Sequence, residues 1–529
     1  MYTVLIKGGE VFDGSGREAF RADIALQGDK IAAIGEQLKE PAELVVDADG
    51  LAVAPGFIDI HTHTDATIFS CPMSTSKLLQ GVTSEVIGSC GVGAFPVHPS
   101  YRGELLEYLK IHGFSFPAQG VTWEDLTGYA AELGKLKLGT NLLPQVAHGA
   151  LRGAVVGFGA QKPTAAMQAQ MEQLLALAME QGAWGMSAGL IYPPGSFADT
   201  EELIGLARVI KDYDGLFSIH IRGESQTLRQ SLDEAIGIAR ESGARVQISH
   251  LKAMGRTQWG MGRECLELLQ RSREAGVDIA ADQYPYEASS TSLTALVPQW
   301  AHSGGVARLL ERLDDPDLVA NIKEEIGREI NMRGGAERIR ITALASPKNR
   351  EAALGKSLAQ IAAAWNLSPE ETVVRLLKEE KGVVNAVYFS MDPEDVKTIL
   401  SDENVGVGSD GSGMAREKGK TTHPRSFGTF ARVIGPCVRE GILPLELAIY
   451  KMTGLNARRL GLTDRGLLRP GLAADLTVFD PAAVCDRADF LDPQQYPVGI
   501  EYVFVNGELA VRRGALTGAA AGRVLLKKP

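Results

Sequence analysis

Residues 56–65, GFIDIHTHTD, decide how the rest of the chain is read. The stretch begins as a short apolar run, Gly56 to Ile60, suited to a core strand, and ends in His61 and His63. In an extended chain, side chains at i and i+2 point to the same face. Thr62 therefore points away, and the two imidazoles can meet one metal ion. A His-x-His pair alone is weak, because such pairs occur on many surfaces. Its weight here comes from the strand before it, from Asp65 directly after it, and from matching side chains elsewhere.

Outward from this point the chain divides in two styles. Residues 1–54 hold short alternating runs broken by Gly-Gly or Gly-Asp, as in TVLIKGGEVFDG and DIALQGDKIAAIG, which are hairpin signals. The end of the chain mirrors this with ADLTVFDP and IEYVFVNGELAVRRGAL, with Asn506-Gly507 at the turn. We expect one small β-sandwich domain built from residues 1–54 plus 463–529. Residues 55–462 alternate apolar strands with amphipathic helices. The strands are GFIDIHTH, SEVIGSCG, LPQVAHG, AWGMSAGL, LFSIHIRG, RVQISHLK, VDIAADQYPY and NVGVGSDG. Eight strands in this rhythm predict an α/β fold, a (β/α)8 TIM-like barrel in place of a doubly wound sheet. The polar residues cluster at the strands' C-terminal ends, where such barrels hold their sites. Residues 286–383 break the rhythm: they are mostly helical in pattern with no strong strand, and too long for a bare loop. They predict a helical insertion after strand seven, forming a lid or a pocket wall.

The composition excludes several classes. Hydrophobic content of 45% and charged content of 22% are those of a soluble globular protein. A net charge of −11 lacks the basic footprint of nucleic-acid binding. No basic region followed by an apolar one marks a signal peptide at Met1, and no window is apolar enough to span a membrane. A cytoplasmic location is expected; the oligomeric state is not legible. The five cysteines, Cys71, Cys90, Cys265, Cys437 and Cys485, are irregularly spaced without a CxxC, so a disulfide framework is not expected.

At the strand ends stand His61 and His63 (strand one), Cys90 (two), His220 (five), His250 (six) and Asp410 (eight). Imidazole, thiolate and carboxylate donors converging on one barrel end suit zinc with an open position. Asp410 is the candidate general base, and Tyr192 a candidate donor to the oxyanion; Tyr192 can equally be a loop tyrosine packing on Pro193 and Pro194. His148, also at a strand end, reads as structural, with support of the site as the alternative.

GFIDIHTHTD, the single Asp closing strand eight, and the MTGLNARRLGLTDRGLLRPGLAADLTVFDP tail resemble the amidohydrolase superfamily. GSCG, AHGALRG, GLIYPPGSFADT, HIRGE, SHLKAMG, DQYPY, THPRSFGTF and the chain's ending are most similar to its N-acyl-D-amino-acid deacylase (D-aminoacylase) branch. The resemblance covers nearly the whole chain and implies zinc-dependent hydrolysis of N-acyl-D-amino acids. Many amidohydrolases bridge two metals with a carboxylated Lys ending strand four; GMSAGLIYPPG offers none, and in this branch a strand-two Cys takes over. The resemblance thus implies one tight zinc on Cys90, His220 and His250, and a neighbouring second site, filled or empty, on His61, His63 and Asp410. It also implies that Lys252, Tyr284, Ser290 and Arg425 clamp the substrate's α-carboxylate. Members acting on acidic D-amino acids need an extra cation near the side chain. The strand-four loop, Leu190 to Pro193, carries none, so a neutral or apolar side chain is expected. The rival activities are cleavage of dipeptides with a C-terminal D-residue and of cyclic amides, as in dihydroorotases and hydantoinases; the missing Lys speaks against the latter. The intact donor set speaks against a non-catalytic barrel.

Overall fold

The computed structural model describes residues 1–528. Its centre is a parallel barrel. Phe57–Asp59, Val82–Ile87 and Asn141–Pro144 pair in that order. After a break at Gln145 the third strand continues as Val146–Ala147. This continuation pairs onward through Gly185–Gly189, Leu216–His220, Arg245–Ile248, Ile279–Gln283 and Val405–Val407. A parallel bridge between Thr62 and Gly411 closes the ring. Asp410 N donates to His61 O at 2.8 Å and His63 N to Gly411 O at 3.0 Å across the same seam. Every strand read from the sequence is present. These strands are almost wholly buried, because helices cover their outer faces and side chains fill the inside.

The seam is pinned beneath the site. Lys77, fully buried, donates to Asp59 Oδ2 at 2.7 Å and Ser409 Oγ at 2.5 Å, while Ser409 N donates to Asp59 Oδ1 at 2.9 Å. Asn456 Nδ2 donates to the carbonyls of Ile58 and Val407, at 2.8 and 2.9 Å, joining strands one and eight. The helices follow their patterns. Thr200–Asp212 starts where Asp199 accepts from Glu202 N, and Leu228–Ser242 stops at Gly243, whose φ of 70° only glycine takes readily.

Strands from both ends of the chain form one nine-stranded sheet that forks at Tyr2–Val11. It is a single hydrogen-bonded sheet, not two separately bonded sandwich layers, because Tyr2–Val11 is long enough to pair with Ala42–Asp47 and then Ala52–Pro55 along its length. Val4, Ile6, Ile24, Leu26, Leu476 and Phe504 make its core. Beyond it, Val524 bridges to Leu142 of the third barrel strand.

The segment after strand seven is not purely helical. Ser289–Ser292, Ile339–Leu344 and Val384–Tyr388 form an antiparallel sheet. Gly305–Asp314, Pro316–Met332, Leu358–Trp365 and Pro369–Glu379 pack on it around Leu309, Ile322, Ile326, Ile361 and Leu376. Its strands are short, one is SSTS, and their partners lie far off in sequence with no hairpin turn between them. Nothing local signals them. No helix among the described residues is long and apolar enough to cross a membrane.

Candidate metal and substrate site

The C-terminal end of the barrel opens into a cavity of about 580 Å³, lined among others by His63, Cys90, His220, His250, Lys252 and Asp410. Three of these residues, Cys90, His250 and Asp410, have φ of 53°, 39° and 52°, in the left-handed region that residues with a Cβ avoid. At each, the chain turns sharply off its strand, and the side chain is thrown inward.

His61 Nε2, Cys90 Sγ, His250 Nε2 and one Asp410 oxygen lie within 4.8 Å of one another. Cys90 Sγ is 3.2 Å from His61 Nε2 and 3.5 Å from His250 Nε2. His220 Nδ1 is 3.0 Å from His250 Nε2, and His63 Nε2 is 3.0 Å from Asp410 Oδ1. All six residues singled out in the sequence therefore meet. His61, however, stands closer to Cys90 than the division of the six into two separate triads implies. Two donors each about 2.0–2.3 Å from one ion are at most about 4.6 Å apart, and the Cys90–His61, Cys90–His250 and His61–Asp410 spacings of 3.2, 3.5 and 3.4 Å fit a zinc ion.

The charges are mutually compensating. Burial pushes the Cys90 thiol up, but His61 and His250 pull it well below its ordinary value. Burial opposes charge on His61, yet Cys90 and Asp282 raise it well above the usual histidine range. Burial raises Asp410, but Arg425, His250 and His63 hold it well below the usual carboxylate range. A negative and positive set this dense, with every member but His63 buried, needs either shared protons or a cation.

Two carboxylates that sequence reasoning missed orient the ring nitrogens. Asp282 Oδ1, closing strand seven, lies 3.2 Å from His61 Nδ1 and also accepts from His250 N at 2.8 Å. Glu224 Oε1 lies 3.1 Å from His250 Nδ1 and 3.6 Å from His220 Nε2. An acceptor behind Nδ1 leaves the Nε2 lone pair of His61 and His250 facing the cluster. The available signals were the strand-end position of Asp282 and the one-turn spacing of Glu224 from His220.

Of the four residues expected to clamp a carboxylate, Lys252, Ser290 and Arg425 line the cavity and Tyr284 does not. Arg425 Nη1 donates to Asp410 Oδ2 at 2.7 Å and its Nη2 to Ser290 O at 3.1 Å. Lys252 Nζ donates to Glu224 Oε1 at 2.5 Å, the same oxygen that lies behind His250 Nδ1, and stands 2.7 Å from that nitrogen. Tyr284 is buried behind these two, its ring 5.0 Å from Arg425 Cζ and 5.9 Å from Lys252 Nζ. His423, unmarked in the sequence, accepts from Arg425 N at 3.0 Å and holds the loop to Ala288 O at 2.8 Å. Tyr192 stands edge-on to His112 and His220 and shares a 2.8 Å hydrogen bond with Thr291. His148 is outside the cavity: it pairs with Glu202 at 2.9 Å, with Arg152 alongside, which is the structural reading.

The model of the family described as "Amidohydrolase family" matches residues 44–511. N-acyl-D-glutamate deacylase of Alcaligenes xylosoxydans xylosoxydans is 38% identical over 99% of this chain and 96% of its own. D-aminoacylase of the same organism is 36% identical over 99% and 98%. The crystal structure of N-acyl-D-glutamate deacylase from Bordetella bronchiseptica, with zinc and a phosphonate mimic of the tetrahedral intermediate, superposes with a TM-score of 0.83. It is 36% identical and covers 99% of both chains.

Proposed function

The chain belongs to the amidohydrolase family, and from that premise we propose that it is a zinc-dependent hydrolase. It cleaves the amide bond of N-acyl-D-amino acids to give a carboxylate and a free D-amino acid. The observation that carries this reading is the meeting of His61, Cys90, His250 and Asp410 donors within 4.8 Å, the last three of them lining the cavity together with Arg425 and Lys252.

Cys90, His220 and His250 would hold the tight zinc, and His61, His63 and Asp410 would hold a neighbouring ion; Cys90 touches histidines of both sets. Bound zinc supplies Lewis acidity, which lowers the pKa of water from about 15.7 to about 7 and polarises a carbonyl. Asp410 is the general base. Arg425 occupies its Oδ2, leaving Oδ1 toward His63 and the cavity, where it takes the proton of the attacking water and passes it to the departing nitrogen. Tyr192, whose phenol burial keeps well above its ordinary pKa, stays protonated and donates to the oxygen on which charge develops. Arg425, Lys252 and Ser290 receive the α-carboxylate, with Tyr284 as their backing, and so fix which enantiomer places its amide over Asp410.

A screen of N-acetyl-D- and N-acetyl-L-amino acids and L,D-dipeptides, with zinc analysis alongside, tests this. The D-enantiomers of the acetyl compounds are turned over in strong preference. Equal rates on both enantiomers, or turnover of dipeptides alone, overturns the assignment. Asp410→Asn retains zinc and loses about 10²–10⁴-fold in kcat, the usual contribution of a general base; a near wild-type rate removes Asp410 from that role.

A further inference from the structure

The cavity has a second wall that the strand-four loop says nothing about. Helix Pro316–Met332 of the insertion ends over the loops that follow strands five and six. Met332 Sδ accepts from Ser225 Oγ at 3.2 Å, and a Cβ on Gly255 would fall 2.7 Å from Met332 O, so the helix end is seated closely. The next residue, Arg333, lines the cavity. Its Nη1 is 3.8 Å from Met254 Sδ, and Met254 is two residues beyond Lys252 of the carboxylate clamp.

Arg333 is 7% exposed, its guanidinium lies 4.8 Å over the Tyr388 ring, and its Nε is buried with no hydrogen-bond partner. Glu329 offers an oxygen at 3.4 Å from Nε, outside hydrogen-bond geometry, on a side chain 34% exposed. Of the other cations on this cavity, Lys252 and Arg425 stand on the α-carboxylate side, and Arg222 and Arg328 are held by other partners. Arg222 makes two bonds to Glu234 and two to the carbonyls of Ser196 and Ala198. Arg328 pairs with Glu324, Lys252 with Glu224, and Arg425 with Asp410. Arg333 thus has one ion-pair partner, at 3.4 Å without a hydrogen bond, and a buried Nε left unsatisfied costs free energy that an arriving anion on this guanidinium offsets. A guanidinium presents its donors in a fork that matches a carboxylate.

We propose that Arg333 is a specificity-determining residue that pairs with a carboxylate on the substrate's side chain, so that acidic N-acyl-D-amino acids are the preferred class. This rests on the reading of the site as an N-acyl-D-amino-acid hydrolase, and it replaces the expectation of a neutral side chain. The α-carboxylate goes to the Lys252 and Arg425 side of the cavity, and the side-chain carboxylate to the insertion.

The test compares N-acetyl-D-glutamate, N-acetyl-D-aspartate, N-acetyl-D-glutamine and N-acetyl-D-methionine on the zinc-loaded enzyme, wild type, Arg333→Met and Arg333→Lys. Wild type favours a diacid over the near-isosteric glutamine compound. Arg333→Met lowers kcat/KM for that diacid by about 10–100-fold, the worth of one charged hydrogen-bond pair, chiefly through KM. It lowers the glutamine and methionine values far less, and Arg333→Lys restores part of the ratio. Inhibition of wild type by D-glutamate more strongly than by D-glutamine is the matching result that needs no variant. The proposal is overturned if wild type prefers the glutamine or methionine compound. It is equally overturned if Arg333→Met lowers all four rates alike, the mark of a side chain that only packs on Tyr388. If no N-acyl-D-amino acid is turned over, the hydrolase reading itself fails and the proposal with it. Turnover of neutral substrates alone fails the proposal and spares the reading.

Discussion

Cys90 shows how much a single position carries. Its backbone is held at φ 53°, a conformation that costs a residue with a Cβ on the order of 1–3 kcal/mol, and it touches histidines of strands one and six. A serine or alanine there removes the only sulfur of the cluster. Cys90→Ala is expected to leave the purified protein with far less than the roughly one tight zinc per chain of wild type, since a soft anionic donor is lost. Elemental analysis after dialysis decides this, and full retention of zinc would falsify the assignment. Positions such as Cys90, His220, His250 and Asp410 were legible because each is a donor closing an apolar strand, a pattern that survives in one dimension. Asp282, Glu224 and Arg333 were not. Their roles depend on which ring nitrogen or which cavity face they meet, and alternation along a strand does not encode that.

At the scale of elements, the barrel was legible because buried parallel strands write themselves as short apolar runs between amphipathic helices. The sheet in the insertion was not, because its pairings span tens of residues. The outer helices hide another such long-range tie. Lys451, fully buried in helix Leu445–Met452, donates through Nζ to Leu400 O and, at 2.6 Å, to Asp402 O, where helix Pro393–Ser401 ends before strand eight. Burial lowers its pKa to about 7, with Asp402 pulling the other way. In the unfolded chain the amine titrates near 10.4, so between about pH 7 and 10.4 the unfolded state binds a proton that the native state does not. Stability from this group therefore rises with pH across that window, by at most about 1.4 kcal/mol per unit, and is flat below it. Lys451→Met lacks the slope and also orphans two carbonyls, at about 1–3 kcal/mol. The wild-type advantage in urea midpoint should thus widen from pH 7 to pH 9. A constant gap would show that Nζ stays charged throughout.

For the whole molecule, function and stability are assigned to opposite ends of the barrel. The cavity, the donors and the insertion lie at the C-terminal ends of the strands, while both chain termini serve the rest. The alternating runs near each terminus made the shared β sheet legible, but the last residues, GAAAGRVLLKK, carry no strand pattern of their own. They are ordered by what they pair with. Leu142 N donates to Arg523 O at 2.9 Å, Leu525 N to Leu142 O at 2.8 Å, and Lys527 N to Gly182 O at 2.8 Å. Trp184 Nε1 donates to Leu525 O at 2.6 Å, and Asn506 Nδ2 to Ala521 O at 2.8 Å. The tail thus pairs along the edge of strand three and reaches the residues just before strand four, and none of its residues lines the cavity. Ending the chain at Leu516 would uncover Leu142 N and Trp184 Nε1 along with the apolar edge that Val524 and Leu525 cover. Each pair lost costs about 1 kcal/mol, so Tm is expected to fall by several degrees. Conservation concentrated on the lower face of such barrels serves stability, and the chemistry is built on the upper one. The zinc-loaded truncated enzyme should therefore keep kcat/KM within about twofold of wild type at 25 °C, where both are folded. A large loss of kcat at that temperature, with zinc content unchanged, would mean that the tail transmits to the site through strands three and four, and the separation of the two ends would have to be abandoned.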